Sequence, residues 1–455
     1  MLQHVAEPYK RLDVLSVENG LPTRRLVLLA ASAFVVLAAE PSYLLIDTAV
    51  IGHLGTEQLG GLGIAVAVVG LLLVIGEFVE YGTTSRAARA FGAGDLDGAY
   101  AEGVAASWLA LVIGTALALA GELLATPLVH LLAGSDPAVR AEAVHWLRIG
   151  LIGMPGVLLV LAGNGWMRGV QQTREPIRIV LLANGVSAVL CPLLVYPTGL
   201  GLRGSAVANL VGQVLGGVLF LRALHGSLVP RWAVIRRQLG VGRDLVVRSV
   251  GFQIAFLTAA GVAARMGSTQ IAAHQIGLQL WEFSALLLDS LAIAAQSLVG
   301  AALGGSDATT ARHVAWRVAR LGAAAGLAFT VLYAAGWWLI PQAFTSSAAT
   351  QHQAHTLWPW FVALWVPAGV VFALDGVLIG AGDVGFMAGL TVLAGVGAFA
   401  PIDLAALHWH WGIGGVWAGL LAFVLVRLVG MVARTRGTHW AVTGSWDAPD
   451  AQSRV

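Results

Sequence analysis

Two carboxylates lie in the first long apolar stretch of the chain, AEPSYLLIDTAVIGHLG at residues 39–55. An ionised carboxylate in hydrocarbon costs at least about 2.5 kcal/mol, so an acid inside a membrane helix usually faces a cavity and serves a function. Asp47 has no cation near it in the sequence, which favours a proton-coupling carboxylate over an acid that only hydrogen-bonds neighbouring helices. Glu40 lies nearly two helical turns earlier on the same face. There it can share the cavity with Asp47 or serve a helix break at Pro41.

Other acids in apolar stretches have a structural and a functional interpretation. They are Glu77, Glu80, Glu282, Asp289 and Asp375. The two acids of GEFVEYGTTS can pair with Arg86 or Arg89, or extend toward the membrane surface. Glu282 and Asp289 are open to the same two interpretations. Asp375, in ALDGVLIGAGD, stands among small residues and is either a candidate ion site or a structural acid.

Neutral polar side chains within the apolar stretches can line a cavity or bond one helix to another. They include Asn164, Asn184, Ser187 and Asn209.

The chain has no H-E-x-x-H, no G-x-x-x-x-G-K-[ST] and no G-x-S-x-G motif, so the sequence predicts neither an enzyme of those classes nor ATP-driven transport. Any uphill transport must then draw on an ion gradient. We therefore expect no cofactor, with a proton gradient as the energy source and sodium as the alternative.

The composition is that of a polytopic membrane protein. Of 455 residues, 58% are hydrophobic and 11% are charged, and the mean hydropathy is +0.80, far from the composition of a soluble domain. A net charge of +2 does not suggest binding to nucleic acid. The single cysteine, Cys191, excludes an intrachain disulfide and a cysteine metal site.

Twelve stretches of the sequence are apolar enough to cross a membrane. A bilayer needs roughly 20 apolar residues per helix, and the stretches that qualify are 27–51, 61–85, 100–124, 142–166, 177–198, 204–224, 246–266, 271–300, 314–340, 357–380, 385–406 and 413–435.

Lysine and arginine are distributed unequally between alternate loops. When the membrane-proximal helix ends are included, 22 of the 26 basic residues fall on the side that holds both termini and 4 fall on the other side. Basic residues are enriched on the cytoplasmic side of a membrane. We therefore expect a multi-pass protein of the cytoplasmic (inner) membrane with both termini in the cytoplasm.

The two halves of the chain resemble each other when Gly55 is placed over Gly267, a shift that we call the repeat offset. This offset places LGTEQL over MGSTQI and, without a gap, AFGAGD over ALGGSD. Six helices return the chain to its starting side, so we expect two parallel six-helix repeats, an arrangement more typical of a transporter than of an enzyme. The predicted segments are a cytoplasmic N-terminal segment (1–26), an N-lobe of helices 1–6 (27–224), a cytoplasmic linker (225–243), a C-lobe of helices 7–12 (244–436) and a cytoplasmic tail (437–455).

Motifs spread over nearly all twelve stretches resemble those of the multidrug and toxic compound extrusion (MATE) family, and specifically of its DinF branch. They are LLIDTAVIGHLG, FGAGD, NGWMRGVQ with REP, RSVGFQ, AAHQIGLQLW, LAIAAQSLVGAALG and LDGVLIGAGD. The resemblance implies an all-α fold with two six-helix lobes that form a V opening outward, and transport by alternating access. It also implies a monomer in the lipid bilayer that exports drug-like, often cationic or amphiphilic, small molecules in exchange for protons or sodium.

The resemblance also assigns roles to single residues. Asp47 matches the helix 1 aspartate that is thought to take the coupling proton. Asp375 matches the helix 10 aspartate that the NorM branch uses for coupling, which makes it a candidate ion site of the C-lobe. The predicted cavity-lining residues are Tyr43, Asn164, Asn184, Ser187, Asn209 and Gln253.

Three positions depart from the family pattern. Where the family often reads N-x-x-N-x-x-x-D in helix 5, this chain has NGVSAVLC, so Ser187 and Cys191 replace the second asparagine and the aspartate. The missing carboxylate argues against a sodium site in the N-lobe and gives Asp47 more weight as the proton-coupling group. Ser32 replaces an early proline of helix 1, so a bend there would have to use Pro41 or no proline.

The sequence is also compatible with two further classes of protein. A lipid or amphiphile flippase shares the general architecture, but such proteins often have a cationic central cavity. In this chain the arginines crowd the cytoplasmic helix ends, and the charges in the middle of the predicted spans are acids. A membrane scaffold without transport activity would leave the repeat and the buried acids without a reason.

Overall fold

The chain folds into α-helices in a computed structural model that describes residues 23–132, 136–224 and 226–444, and no β-strand occurs in those ranges. The predicted all-α fold is confirmed. The helices are α1 (Thr23–Gly52), α2 (Thr56–Gly92), α3 (Leu96–Leu132), α4 (Pro137–Ile152), α5 (Met154–Gly169), α6 (Arg174–Val195), α7 (Leu202–Ala223), α8 (Trp232–Met266), α9 (Ser268–Gly304), α10 (Ala308–Ala335), α11 (Leu339–Phe344), α12 (Ala348–Ala381), α13 (Val384–Ala394), a π-helical turn (Gly395–Phe399), α14 (Ala400–His408) and α15 (Gly412–Arg436).

The predicted count of about twelve membrane crossings is confirmed. Among the described residues, eleven helical segments are long and apolar enough to span a bilayer, and the pair α4 and α5, bent by 51°, completes a twelfth. The bend falls at Gly153, two residues before Pro155. Proline has no backbone N–H and its ring obstructs the preceding turn, so the helix cannot continue straight through this position. The predicted span 142–166 is therefore two helices.

Several helices continue well beyond the apolar stretches that predicted them. Helix α2 runs to Gly92 and α9 to Gly304, and α8 already begins at Trp232, inside the predicted linker. Hydropathy detects only the part of a helix that suits hydrocarbon, whereas the polar ends are stabilised by contacts within the protein. One such contact is made by Gln238 of α8, which donates to the backbone oxygen of Glu102 (2.9 Å) and to its side chain (2.7 Å). Residues 1–22 of the predicted segment 1–26 and residues 445–455 of the predicted tail lie outside the described residues, and residues 23–26 already belong to α1.

The chain divides into two compact units. Unit 1 comprises residues 35–242, and unit 2 comprises residues 243–444 together with residues 23–34. Unit 1 has a core cluster that includes Trp166, Met167 and Phe220. Unit 2 has an aromatic core in which Tyr333 and Trp365 have ring centroids 5.5 Å apart. Each unit buries apolar side chains of its own, as an independently packed body does.

Helix bounds repeat in the two halves at the offset seen in the sequence. The repeat offset carries the bounds of α2 to 268 and 304, which are the bounds of α9. The same shift carries α6 to 386–407, within α13, the π-helical turn and α14, and carries α7 to 414–435, within α15. The weak identities in the sequence therefore mark a repeat that extends over whole helices.

The loop signals of the repeat have a structural reason. Gly55 and Gly267 both have positive φ angles, 155° and 139°, which favour glycine. At the following turn, the Oδ1 atoms of Asp95 and Asp307 each accept a hydrogen bond of 2.8 Å from the backbone N–H three residues later. Both aspartates are thus helix N-caps, and the motifs AFGAGD and ALGGSD are the same helix-to-helix turn.

Glycines bring equivalent helices into close contact in both units. A Cβ atom on Gly165 of α5 would lie 2.4 Å from the carbonyl oxygen of Glu80 in α2, and one on Gly376 of α12 would lie 2.0 Å from that of Ala292 in α9. The repeat offset places Ala292 opposite Glu80. Close backbone approach through small residues is typical of packing between membrane helices. The two units therefore share a packing contact as well as helix bounds.

Candidate functional site

Asp47 of α1 is the most isolated acid of unit 1. It is fully buried, and its Oδ1 atom accepts a hydrogen bond from the Cys191 thiol of α6, with Sγ at 3.2 Å. Its Oδ2 atom has no hydrogen-bond partner. A thiol is only a weak donor, and no ion pair of the described residues includes this carboxylate. Asp47 thus has no neutralising cation among these spatial contacts, just as it has none nearby in the sequence.

A second polar contact to Asp47 comes from α7. The Ser205 hydroxyl lies beside the carboxylate and accepts a hydrogen bond of 3.1 Å from Trp146 Nε1 of α4. Ser205 is fully buried. Because the indole N–H occupies the oxygen of Ser205, the hydroxyl proton of this serine can point toward Asp47.

Polar residues continue along the facing sides of α1 and α7. Tyr43 of α1 interacts with Asn209, and Glu40 interacts with Gln213. On α7 the polar positions are 205, 209 and 213, which fall on one helical face because they are four residues apart. The predicted residues Glu40, Tyr43, Asp47 and Asn209 are therefore brought together in one polar strip, which we call the α1–α7 strip.

Three other predicted cavity residues have different surroundings. Ser187 donates to the backbone oxygen of Ala208 (3.0 Å), so its hydroxyl bonds α6 to α7. Asn184 donates to Val180 O of its own helix (3.1 Å). Asn164 of α5 is buried with its Oδ1 atom unpaired. The first two are thus engaged with backbone, and the amide oxygen of Asn164 is available to a further donor.

The buried acids Glu80 and Glu102 of unit 1 are paired with arginines of other helices. Glu80 pairs with Arg168 of α5. Arg86 binds Glu102 of α3 through two hydrogen bonds, of 2.6 and 2.9 Å. These partners lie on other helices, so spacing along α2 could not identify them. Of the two alternatives that the sequence left open for Glu80, an ion pair is the one observed, and its arginine comes from another helix.

In unit 2, Asp375 of α12 is held by two arginines. Arg427 Nη2 lies 2.7 Å from Oδ1 and 2.9 Å from Oδ2, and Arg248 Nη2 lies 3.1 Å from Oδ2. The Arg427 guanidinium also stacks on Phe252, 4.5 Å from the ring centroid. The next residue along α8 is Gln253, which is half-buried. Two guanidinium groups thus bind the one carboxylate of Asp375.

Beside this cluster, unit 2 encloses a small apolar cavity, and Arg427 is its charged lining residue. Trp281, one of the lining side chains, packs against Trp365 with ring centroids 5.3 Å apart. The lining residues are Phe252, Phe256, Trp281, Leu364, Ala368, Val371, Phe372, Trp417, Leu420, Phe423, Val424 and Arg427. A cavity of this composition suits an apolar or aromatic group.

Helix α1 is held differently from the rest of unit 1. The helices that pack most closely there are α6 with α7, α3 with α5, and α2 with α5. Helix α1 approaches the backbone of the other described helices at few points. Its position therefore depends more on the contacts of its side chains. Elements with few close contacts are the ones that open or move first.

Sequence reasoning missed three contacts of the α1–α7 strip, those made by Ser205, Gln213 and Cys191. Ser205 and Gln213 could have been found, because they lie four residues on either side of the predicted Asn209. The contact of Cys191 with Asp47 could not, since 144 residues separate the two. Asp403 of α14, in APIDLAAL, was also missed, although an acid within an apolar stretch was a visible signal.

The chain is similar to one family model, MatE, which matches residues 32–193 and 245–402. It is 31% identical to Protein DETOXIFICATION 44, chloroplastic, of Arabidopsis thaliana, covering 93% of this chain and 84% of that protein. It is also 31% identical to DNA damage-inducible protein F of Escherichia coli (strain K12), covering 89% of each. The fold is similar to an outward-facing structure of a multidrug resistance MATE family transporter of the MOP superfamily, with a TM-score of 0.83, 21% identity, and coverage of 92% and 96% of the two chains.

Proposed function

The chain belongs to the MatE family, and on this premise we propose that it is a secondary active multidrug exporter that exchanges drug-like, cationic or amphiphilic compounds for protons at Asp47. Its membership and its likeness to DNA damage-inducible protein F bear out the expected DinF branch. Members of the family are transporters, so the protein is a transporter and not an enzyme. The structure named above as a multidrug resistance transporter supports the substrate class by fold.

The burial of Asp47 without a cation is the observation that carries the proposal. An ionised carboxylate in such a place is costly. It either takes up a proton, which removes its charge, or binds a positively charged group, which compensates that charge. A proton from outside neutralises Asp47, removes its attraction for a cationic substrate and so favours release of that substrate outward. Proton and substrate then compete for the α1–α7 strip, and exchange requires that competition.

The surroundings of Asp47 favour a proton over sodium. Hard cations are bound by several oxygen ligands, whereas the side chains that bond the Asp47 carboxylate are one thiol and one hydroxyl, of Cys191 and Ser205. Sodium coupling through Asp375 is the alternative. It is disfavoured because Arg427 and Arg248 already neutralise that carboxylate.

Export by purified protein in liposomes tests the assignment of Asp47. With an imposed pH difference and ethidium as the transported cation, we expect the wild type to accumulate ethidium against its gradient and Asp47→Asn to lose that activity. Glu122→Gln is the matched control, because Glu122 is a half-exposed acid paired with Arg148. Export by Asp47→Asn at the wild-type rate would overturn the role of Asp47. Export driven by a sodium gradient after the pH difference has collapsed would favour the alternative.

We also propose that the protein lies in the inner membrane with both termini in the cytoplasm, on the basis of the unequal distribution of lysine and arginine. That it acts as a monomer is what the resemblance to the family implies. Labelling of intact cells with a membrane-impermeant maleimide tests the orientation in a Cys191→Ala background. Thr198→Cys, between α6 and α7, should be labelled from outside, whereas Ser227→Cys, in the predicted linker, should be labelled only after the cells are opened. The reverse pattern would place the termini outside.

A further inference from the structure

Asp403 is a fully buried aspartate in unit 2 to which none of the preceding roles applies. It lies in α14 and is 0% exposed. Neither Oδ1 nor Oδ2 has a hydrogen-bond partner. No ion pair of the described residues includes it. Its isolation is thus more complete than that of Asp47, which has the Cys191 thiol and the Ser205 hydroxyl beside it.

The surroundings of Asp403 are apolar. Helix α15 comes close at Gly419, where a Cβ atom would lie 2.7 Å from Oδ1 of Asp403, and Phe399 and Ile402 contact the same space. The preceding π-helical turn, Gly395–Phe399, has no ionisable side chain. Sodium would need several further oxygen ligands, and these side chains supply none.

The charged groups on the neighbouring elements are directed elsewhere. On α15, Arg427 is eight residues beyond Gly419, about 12 Å along the helix axis, and it binds Asp375. Arg434 binds Asp383. The remaining titratable groups of these elements are Arg436, which is exposed at the end of α15, and His408, at the end of α14.

A carboxylate ion in these surroundings has nothing to replace its lost hydration. An unpaired ionised group in a low-dielectric interior is costly, and such a group takes up a proton instead. In the arrangement described, the neutral carboxylic acid is therefore the favoured form of Asp403. The π-helical turn directly before α14 fits this view, because π-helical turns occur frequently at functional sites.

The internal repeat gives Asp403 a counterpart in unit 1. The repeat offset places Asp403 opposite Cys191, the residue whose thiol contacts Asp47. Opposite Asp47 it places Ala259 of α8, which is fully buried. Each unit thus has one isolated carboxylate within the same pair of repeat-related helices. In unit 1 it stands on the first helix, and in unit 2 it stands on the fifth.

We propose that Asp403 is a proton-binding site of unit 2, which holds its proton in the arrangement described here and releases it to water when the helices around it separate. The site adds a second proton position to the exporter proposed above. Its protonation does not depend on the role of Asp47. Failure of the Asp47 experiment therefore leaves this proposal standing, and the reverse is also true.

Infrared spectroscopy of the purified protein in lipid nanodiscs tests the proposal directly. The wild type should show the carbonyl stretch of a protonated carboxylic acid at neutral pH, and Asp403→Asn should lose one component of that band. The band should convert to a carboxylate signal as the pH is raised. Asp47→Asn is the matched control and should keep the Asp403 component. An unchanged band in folded Asp403→Asn, or a component that never titrates while the protein stays folded, would overturn the proposal.

A second measurement needs no variant and covers the case in which Asp403→Asn fails to fold. Dicyclohexylcarbodiimide reacts with protonated carboxyl groups in apolar surroundings. Wild-type protein treated at neutral pH should carry the adduct on the peptide that contains Asp403, as found by mass spectrometry, and labelling should fall as the pH rises. Absence of label at Asp403 in wild-type protein under these conditions would contradict the neutral acid.

Discussion

Asp47 and Asp375 are both buried aspartates inside membrane helices, one in each unit, and their surroundings are opposite. Asp375 has two arginine donors at 2.7–3.1 Å. Asp47 has a thiol at 3.2 Å and a serine hydroxyl beside it, and no cation among the described residues. A neutralised pair makes Asp375 part of the packing of unit 2, whereas an acid without a cation can change its proton or its bound cation. The difference shows why an acid in a membrane helix has to be judged by its partners and not by its depth alone.

The comparison extends to the rest of each unit. Unit 1 pairs Glu80 with Arg168 and Glu102 with Arg86 and leaves Asp47 alone. Unit 2 pairs Asp375 with arginine and leaves Asp403 alone. Removing one partner of a buried ion pair is strongly destabilising, whereas amidation of an isolated acid removes a titrating group and leaves the packing in place. Stability and transport should therefore respond to different residues.

The largest effect on stability is expected from Arg427→Met. The change leaves Asp375 buried with Arg248 as its remaining partner and should lower the free energy of unfolding by about 3–5 kcal/mol. Thermal unfolding in detergent measures the loss. Asp47→Asn should leave the unfolding temperature close to that of the wild type, and the double variant Arg427→Met, Asp375→Leu should recover much of the stability. Equal losses in Arg427→Met and Asp47→Asn would remove the distinction between the two acids.

An intermediate effect is expected at the helix caps that the two units share. Asp95→Ala and Asp307→Ala should each cost about 1 kcal/mol of unfolding free energy, since each removes an N-cap side chain. Thermal unfolding of the two variants and of matched Asp→Asn variants provides the measurement. A large effect at one cap and none at the other would show that the repeated turns are not equivalent.

The Asp307 cap should also depend on pH. Burial raises the pKa of Asp307, but the hydrogen bonds from Thr310, together with Thr309 and His313, outweigh it and lower the pKa from its usual value. A carboxyl group with a lowered folded-state pKa stabilises the fold at pH values above its unfolded-state pKa, and that contribution is lost as pH falls through the folded-state pKa. The difference in stability between wild type and Asp307→Ala should therefore shrink in acid.

The smallest effect is expected at Cys191. Because a thiol is a weak donor, Cys191→Ala should change the free energy of unfolding by about 1 kcal/mol or less, and Cys191→Ser should export ethidium at nearly the wild-type rate. The liposome assay used for Asp47 measures both variants. A loss of export in Cys191→Ser as complete as in Asp47→Asn would mean that the thiol, and not only the carboxylate, handles the proton.

Much of the architecture could be predicted from the sequence, because it depends on local patterns. Hydropathy located the crossings, since each needs enough apolar residues to span the bilayer. The match of Gly55 with Gly267 predicted the repeat, and the two aspartate-capped turns carried its signal. The bend between α4 and α5 was not predicted, although Pro155 was in view, because proline within a membrane helix is often tolerated.

The amino-acid sequence by itself determined the membrane class, the count of crossings, the repeat and the presence of Asp47 in an apolar helix without a nearby cation. The tertiary structure alone decided which acids are neutralised. Arg427 is 52 residues from Asp375, Arg168 is 88 residues from Glu80 and Cys191 is 144 residues from Asp47. Such pairs form when helices distant in the chain pack side by side. Whether a buried acid is paired or isolated is therefore a property of helix packing, and no spacing along one helix encodes it.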